Sequence, residues 1–162
     1  PEAEILIKVL FVCLGNICRS PTGEGVFRAL VEREGLGDQI SVDSAGTAGY
    51  HVGNSPDPRS QAAAKQRGID MSRQRARQVR ADDFEKFDYL MAMDGENYSD
   101  LMRICPSGLE SRIYLMLDFG EGHDRRDVPD PYYTGGNGFE VVLDLIENAS
   151  QGLLEDIRNK HL

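Results

Sequence analysis

The chain has 162 residues, 40% of them hydrophobic, which suffices for one core and is too little for two ordinary domains, so residues 1–162 are expected to form a single domain. A formal charge of −9 excludes the broad basic surface that binding along a phosphate backbone requires; nucleic acid is not an expected partner, and any bound anion must be held by a local device. No apolar run approaches the ~20 residues of a membrane helix, no charged-apolar-small leader opens the chain, and three cysteines make no disulfide framework, so a soluble, cytoplasmic protein with reactive thiols and no membrane insertion is expected.

In chain order, residues 5–12 are almost continuously apolar and read as a buried strand, which places Cys13 at its end. The loop V-C-L-G-N-I-C-R-S-P follows. Ser20-Pro21 reads as an N-cap with proline at the first helical position, and Val26, Phe27, Leu30 and Val31 give the apolar face of a helix to about Gly35. Residues 40–43 form a second strand, and Ser55-Pro56 opens a helix through Ala62, Ala63 and Ala64 to Gly68. A third strand spans 87–93, Asp94 caps a helix through Leu101 to Ile104, and a fourth strand spans 112–117. The last helix starts near Gly138 and carries Val141, Val142, Leu145 and Ile146 at helical spacing. Such alternation predicts an α/β fold with parallel crossovers. Residues 118–137 are the longest irregular stretch, rich in Gly, Asp and Pro, and loops of that length are often functional. The basic cluster Arg73, Arg75, Arg77 and Arg80 reads as a solvated face, with an anionic-partner patch as the alternative.

The chemistry concentrates after the first strand. If the loop curls into a helix N-terminus, the backbone N–H groups of residues 14–19 point inward and cradle a tetrahedral oxyanion, with Gly15 allowing the tight curl. The same positive field favours the nucleophilic thiolate form of Cys13. Arg19 adds a planar fork for two phosphate oxygens, and the Ser20 hydroxyl either caps the helix or donates to the sulfur. Together these describe an activated nucleophile in a phosphate-shaped nest, suited to phosphoryl transfer to sulfur. The plainer reading, a structural cysteine beside a surface arginine, does not account for the preceding strand and the following Ser-Pro. A Walker-type loop is excluded by the missing Gly-Lys-Ser/Thr. Ester cleavage also needs an acid, for which Asp124, Asp127 and Asp130 are candidates that spacing alone does not separate. Asp130 has the most distinctive setting, V-P-D-P-Y-Y. His123 with Asp124 and Asp127 raises a metal site, but solvated loop charges are the preferred reading and no metal or other cofactor is expected.

The segments V-C-L-G-N-I-C-R-S-P (12–21), D-S-A-G-T (43–47) and D-P-Y-Y (130–133) resemble the low-molecular-weight protein tyrosine phosphatases, over essentially the whole chain. The resemblance implies a four-stranded parallel sheet of order 2-1-3-4 flanked by helices, with the phosphate-binding loop after strand 1 at the topological switch point. It implies Cys13 as the nucleophile that forms a phosphocysteine, Arg19 as the phosphate ligand, and Asp130 as general acid and then base. It implies that Asn16 and Ser44 shape the loop, that Ser20 stabilises the thiolate, and that Leu14, Tyr50 and Tyr132 wall a slot for the aryl ring, while Gly15, Ile17 and Cys18 complete the phosphate cradle. The partners implied are tyrosine-phosphorylated proteins, and a monomer is expected. Arg73 stands where some relatives have a His that supports the acid after the third strand, here Asp94; Gly23 stands where Ala is frequent and should weaken the helix slightly. The D-P-Y-Y-x-G-G run and the last helix look more like bacterial members than eukaryotic ones.

Two rival classes fit less well. A thioredoxin-type arsenate reductase needs further paired cysteines, whereas Cys105 stands alone; a non-catalytic phosphopeptide-binding module has no need of Cys13 and Asp130. Cys18 has two readings. It is a small buried loop residue, or it captures an oxidised Cys13, since a curled loop brings residues five apart within the ~4.4 to 6.8 Å Cα separation of a disulfide.

Overall fold

The structure, a computed structural model, describes residues 6–133 and 136–162. In chain order it contains β1 (Ile7–Cys13), α1 (Arg19–Arg33), β2 (Ile40–Gly46), α2 (Pro58–Lys65), α3 (Asp83–Lys86), β3 (Tyr89–Ala92), α4 (Gly95–Ile104), β4 (Ile113–Leu115) and α5 (Gly138–His161). Short 3₁₀ turns occupy Glu110–Arg112, Met116–Phe119 and Pro131–Tyr133.

The four strands form one parallel sheet of order β2-β1-β3-β4. β1 is central, and Val9, Leu10, Phe11 and Val12 are all wholly buried, which is why its sequence is an unbroken apolar run rather than an alternating one. Strand geometry then sends successive side chains to opposite layers. Val9, Phe11 and Cys13 face the larger core with Val26, Phe27, Leu30 and Val31 of α1 and Val142, Ile146 and Leu153 of α5. Leu10 and Val12 face the smaller core with Phe84, Phe87 and Leu101. Phe27 has no exposed surface and meets Phe11 edge-on at 5.7 Å, a burial that stabilises the fold by roughly 1.5–3 kcal/mol.

Several boundaries differ from the sequence expectation. α1 begins at Arg19, with Cys18 at the cap position and no side-chain cap, because the Ser20 hydroxyl lies within the first turn and is engaged elsewhere. α2 begins at Pro58, not at Ser55-Pro56; Asp57 caps it by accepting the Arg59 N–H at 2.8 Å. β3 and β4 are shorter than expected, and Met116 and Leu117 turn into a 3₁₀ segment on α5. That contact requires Gly152, since a Cβ there would collide with the Phe119 carbonyl. Gly23 has a packing reason too: a Cβ would stand 2.7 Å from Met93 Cε and 2.9 Å from Phe11 Cδ1, so glycine lets α1 lie close on the sheet. Asp94 caps α4 as expected, its Oδ1 accepting the Asn97 N–H at 2.7 Å. Ile5, expected to start the first strand, and Gly135 of the D-P-Y-Y-x-G-G run lie outside the described residues. No described helix is long and apolar enough to cross a membrane.

Candidate active site

β1 has β2 on one side and β3 on the other, so the chain leaving its carboxyl end enters the crevice where the connections diverge. The loop of residues 14–18 is shaped from outside. Thr47 and Ala48 donate to the carbonyls of Cys13 and Leu14, each at 2.9 Å; Asp57 N–H donates to Ile17 at 2.8 Å, and Thr22 Oγ1 donates to Cys18 at 2.7 Å. With these carbonyls turned outward, the N–H groups of residues 14–18 donate to no protein acceptor among the described residues. Such an array of unpaired inward donors is an anion nest.

The turn of the loop passes through Asn16, whose φ of 58° is left-handed, a conformation that Asn tolerates better than most residues. Its side chain is buried and fully used: Nδ2 donates to Ser20 Oγ at 2.8 Å and to Ser44 Oγ at 3.0 Å, while Oδ1 accepts the Arg77 N–H at 3.0 Å. Ser44 in turn donates to Glu24 Oε1 at 2.6 Å. Because Asn16 supplies a proton to Ser20 Oγ, the Ser20 hydroxyl proton is available to Cys13 Sγ at 3.0 Å, with the Ala45 carbonyl more distant at 3.4 Å.

Arg19 is buried, its side chain only 4% exposed. NH1 donates to Asp94 Oδ2 at 2.6 Å and to the Val128 carbonyl at 3.0 Å, and NH2 lies 3.7 Å from Asp130 Oδ2. Burial works against its charge, but negative charge at Cys13, the Asp94 hydrogen bond and charge, and Asp130 outweigh it and hold the guanidinium above its ordinary pKa. Nε and NH2 make no hydrogen bond to the described protein and remain for a bound oxyanion.

A cavity of about 340 Å³ gathers Cys13, Leu14, Gly15, Ile17, Cys18, Arg19, Tyr50, Asp130 and Tyr132. Asn16, Ser20 and Ser44 stand behind the loop and not on the cavity, and the Asn16 side chain is spent on Ser20 and Ser44. Of the three acid candidates only Asp130 lines the cavity, its side chain 34% exposed. Asp127 accepts the Gly95 N–H at 2.9 Å at the start of α4, and Asp124 is exposed. His123 Nδ1 accepts the Arg125 N–H at 3.1 Å, and no group of three metal-ligating side chains forms among the described residues. The basic cluster is divided: Arg77 pairs with Asp43 and Asp83, Arg80 reaches Asp82 at 3.7 Å, and Arg75 donates to the Ser72 and Gln74 carbonyls. Arg73 is exposed, and Asp94 reaches Arg19 without it. Cys105, at the end of α4, does not line the cavity.

Two contributors escaped the sequence, and a third was seen only in part. His51 lines the cavity, its Cδ2 so close that a Cβ on Gly15 would stand 2.9 Å away; a lone histidine in a glycine-rich turn gives no signal of that kind. The Val128 carbonyl carries no side-chain signature. Asp94 was legible as a cap, and its position at the carboxyl end of the strand beside β1 was the available hint of its contact with Arg19.

The sequence model of the family described as low molecular weight phosphotyrosine protein phosphatase matches residues 8–162. The chain is similar to YfkJ, a low molecular weight protein-tyrosine-phosphatase of Bacillus subtilis, at 45% identity over 96% of this chain and 98% of that protein. The crystal structure of YfkJ matches with a TM-score of 0.93 and 43% identity, covering 99% of this chain and 100% of that one. A protein tyrosine phosphatase of Entamoeba histolytica, crystallised with Hepes in its active site, matches at TM-score 0.92 and 40% identity over 96% of this chain and 99% of its own. A Drosophila arginine phosphatase matches at TM-score 0.88 and 32% identity, covering 95% and 99% of the two chains. By sequence along nearly its whole length and by fold, the chain belongs to the low molecular weight phosphotyrosine protein phosphatases.

Proposed function

We propose that this protein hydrolyses phosphotyrosine in proteins by two-step transfer through Cys13. The Cys13 thiolate attacks phosphorus, the S–P bond forms as the bond to the phenol oxygen breaks, and the Asp130 carboxyl gives its proton to the leaving oxygen. A water then attacks the phosphocysteine, Asp130 takes a proton from it, and the S–P bond breaks to release inorganic phosphate and restore the thiolate. Arg19 and the loop N–H groups hold the equatorial oxygens and stabilise the charge that builds on them. Ser20 donates to the sulfur as a leaving thiolate. The observation that carries this reading is the meeting of Cys13, the unpaired N–H groups, Arg19 and Asp130 on one cavity.

Leu14, Tyr50 and Tyr132 are exposed apolar walls at its mouth, Tyr50 at 76%, and suit a flat ring. All the residues named come from one chain, which supports action as a monomer. All three cysteines are free, which supports residence in the reducing cytoplasm, and Cys18 beside Cys13 supports a redox-sensitive enzyme. The test compares initial rates on peptides carrying phosphotyrosine, phosphoserine or phosphoarginine, without added metal. Phosphotyrosine should exceed each of the others by about tenfold or more in kcat/KM, and Cys13→Ser should abolish turnover. Preference for phosphoarginine would reassign the substrate, and an active Cys13→Ser would overturn the mechanism.

A further inference from the structure

We infer that Arg59 is a positioning residue of this site: it clamps Tyr132 and, through the Tyr132 backbone, sets the Asp130 carboxyl against the phosphate loop. The inference rests on the proposed role of Asp130 as acid and names what holds that acid in place.

The path begins in the nucleophile loop. Asp57 donates its N–H to the Ile17 carbonyl at 2.8 Å, so the start of α2 is tied to the cradle itself. The Asp57 carboxylate then grips Arg59 with both oxygens: Oδ1 accepts from the Arg59 backbone N–H at 2.8 Å and from Nε at 3.1 Å, and Oδ2 accepts from NH2 at 2.9 Å. The Arg59 side chain is half exposed, and an exposed ion pair adds little to stability, so this fork is better explained by where it aims the guanidinium. It aims it between two rings. The guanidinium carbon lies 5.5 Å from the Tyr132 ring centroid and 4.9 Å from that of Phe139 on α5, and NH2 donates to the Tyr132 carbonyl at 3.4 Å.

Tyr132 completes the path, because its N–H donates to Asp130 Oδ1 at 3.0 Å while Asp130 Oδ2 faces Arg19 NH2 at 3.7 Å. Ile17, Asp57, Arg59, Tyr132 and Asp130 thus form a continuous line from the nucleophile loop to the acid. Pro129 and Pro131 fix local backbone angles around Asp130, but they do not set how closely the segment approaches the phosphate loop. A planar, bidentate, stacked cation does so, and lysine offers neither the fork nor the flat face.

The experiment measures kcat/KM for aryl phosphates of rising phenol basicity in the wild type, Arg59→Met, Arg59→Lys and Phe139→Leu, with Asp130→Ala as reference and Tm recorded for each. Arg59→Met should lose about tenfold with the most basic phenols and far less with leaving groups that need no proton, so its leaving-group slope moves toward that of Asp130→Ala. Arg59→Lys should not restore the slope. Phe139→Leu, which keeps Arg59 but removes one ring, should steepen it less, and it carries the test if Arg59→Met does not fold. Slopes equal to the wild type, whatever the Tm, would overturn the role of Arg59 alone. A wild type with no activity on any aryl phosphate would overturn the phosphatase reading, and this inference with it.

Discussion

Cys18 shows how surroundings set the behaviour of a single side chain. It lies on the same cavity as Cys13, yet burial first, and then the charges of Asp57, Cys13 and Asp130, push its thiol up to about 12 against the opposing hydrogen bond from Ser60. At neutral pH it is a protonated thiol. We expect peroxide to convert Cys13 to the sulfenic acid, the peroxide being reduced to water; Cys18 sulfur would then attack, and the sulfenic oxygen would leave as water with the Cys18 proton, giving a disulfide. Capture runs through the thiolate, so it should be faster at higher pH. We expect dithiothreitol to restore peroxide-treated wild type and to leave Cys18→Ser mostly inactive, because unprotected Cys13 passes to irreversible states. Recovery of Cys18→Ser as complete as the wild type would reduce Cys18 to a packing residue. None of this balance was visible in the sequence, which showed two cysteines five apart and not the carboxylates that the fold gathers around the second.

At the scale of elements, Asp94 joins two tasks at one helix start: Oδ1 caps α4 through the Asn97 N–H and Oδ2 holds Arg19 at 2.6 Å. The tasks separate by substitution. Asp94→Ala should lose about 1 kcal/mol with the cap and, in addition, the stability of the buried pair with Arg19, and Asp94→Ser should recover only the share of the cap. Neither variant should recover activity, because Arg19 without Asp94 is free to close on Asp130. Tm and kcat/KM together check this; full activity in Asp94→Ser would assign Asp94 to capping alone. The elements themselves were legible where burial imposes a pattern. The apolar run of β1 and the helical spacing of Val26, Phe27, Leu30 and Val31 gave their elements directly. Boundaries were lost where a side chain had a second use. Ser20 reads as a cap but serves Cys13 and Asn16, so α1 begins two residues sooner. α3 is one turn long and too short for any period to show. Spacing did not separate Asp130 from Asp124 and Asp127; its V-P-D-P-Y-Y setting and the family resemblance singled it out, and of the three it alone lines the cavity.

For the whole molecule, the titrating groups define a plateau of stability. The Asp57 carboxyl, which burial alone would raise, is held below its ordinary 3.8 by the hydrogen bonds and charge of Arg59. A depressed folded pKa contributes stability above the unfolded value and loses it as pH falls through the folded one, so the acid limb should begin below about 4. Cys18 has the opposite sign: an acid raised from 9.0 to about 12 ionises more readily in the unfolded chain, so stability declines between those values. Tyr89, raised by burial and its hydrogen bond to Asp156, adds to the same alkaline limb. Melting curves across pH should be flat between the limbs, and Cys18→Ser should soften the alkaline one; an unchanged alkaline limb in that variant would show that Cys18 is not buried in solution as it is here.

The fold brings the Cys13 sulfur, a donor nest and the Asp130 carboxyl to the carboxyl edge of one sheet, and the covalent step proposed for them is the part open to direct observation. Enzyme turning over a phosphotyrosine peptide is quenched in denaturant and digested, and the peptides are examined by mass spectrometry under conditions that preserve thiophosphate. One phosphoryl group on the Cys13 sulfur, absent in Cys13→Ser, is the result expected. A phosphoryl group on another side chain, such as His51, or turnover with no phosphorylated enzyme at any time, would contradict it.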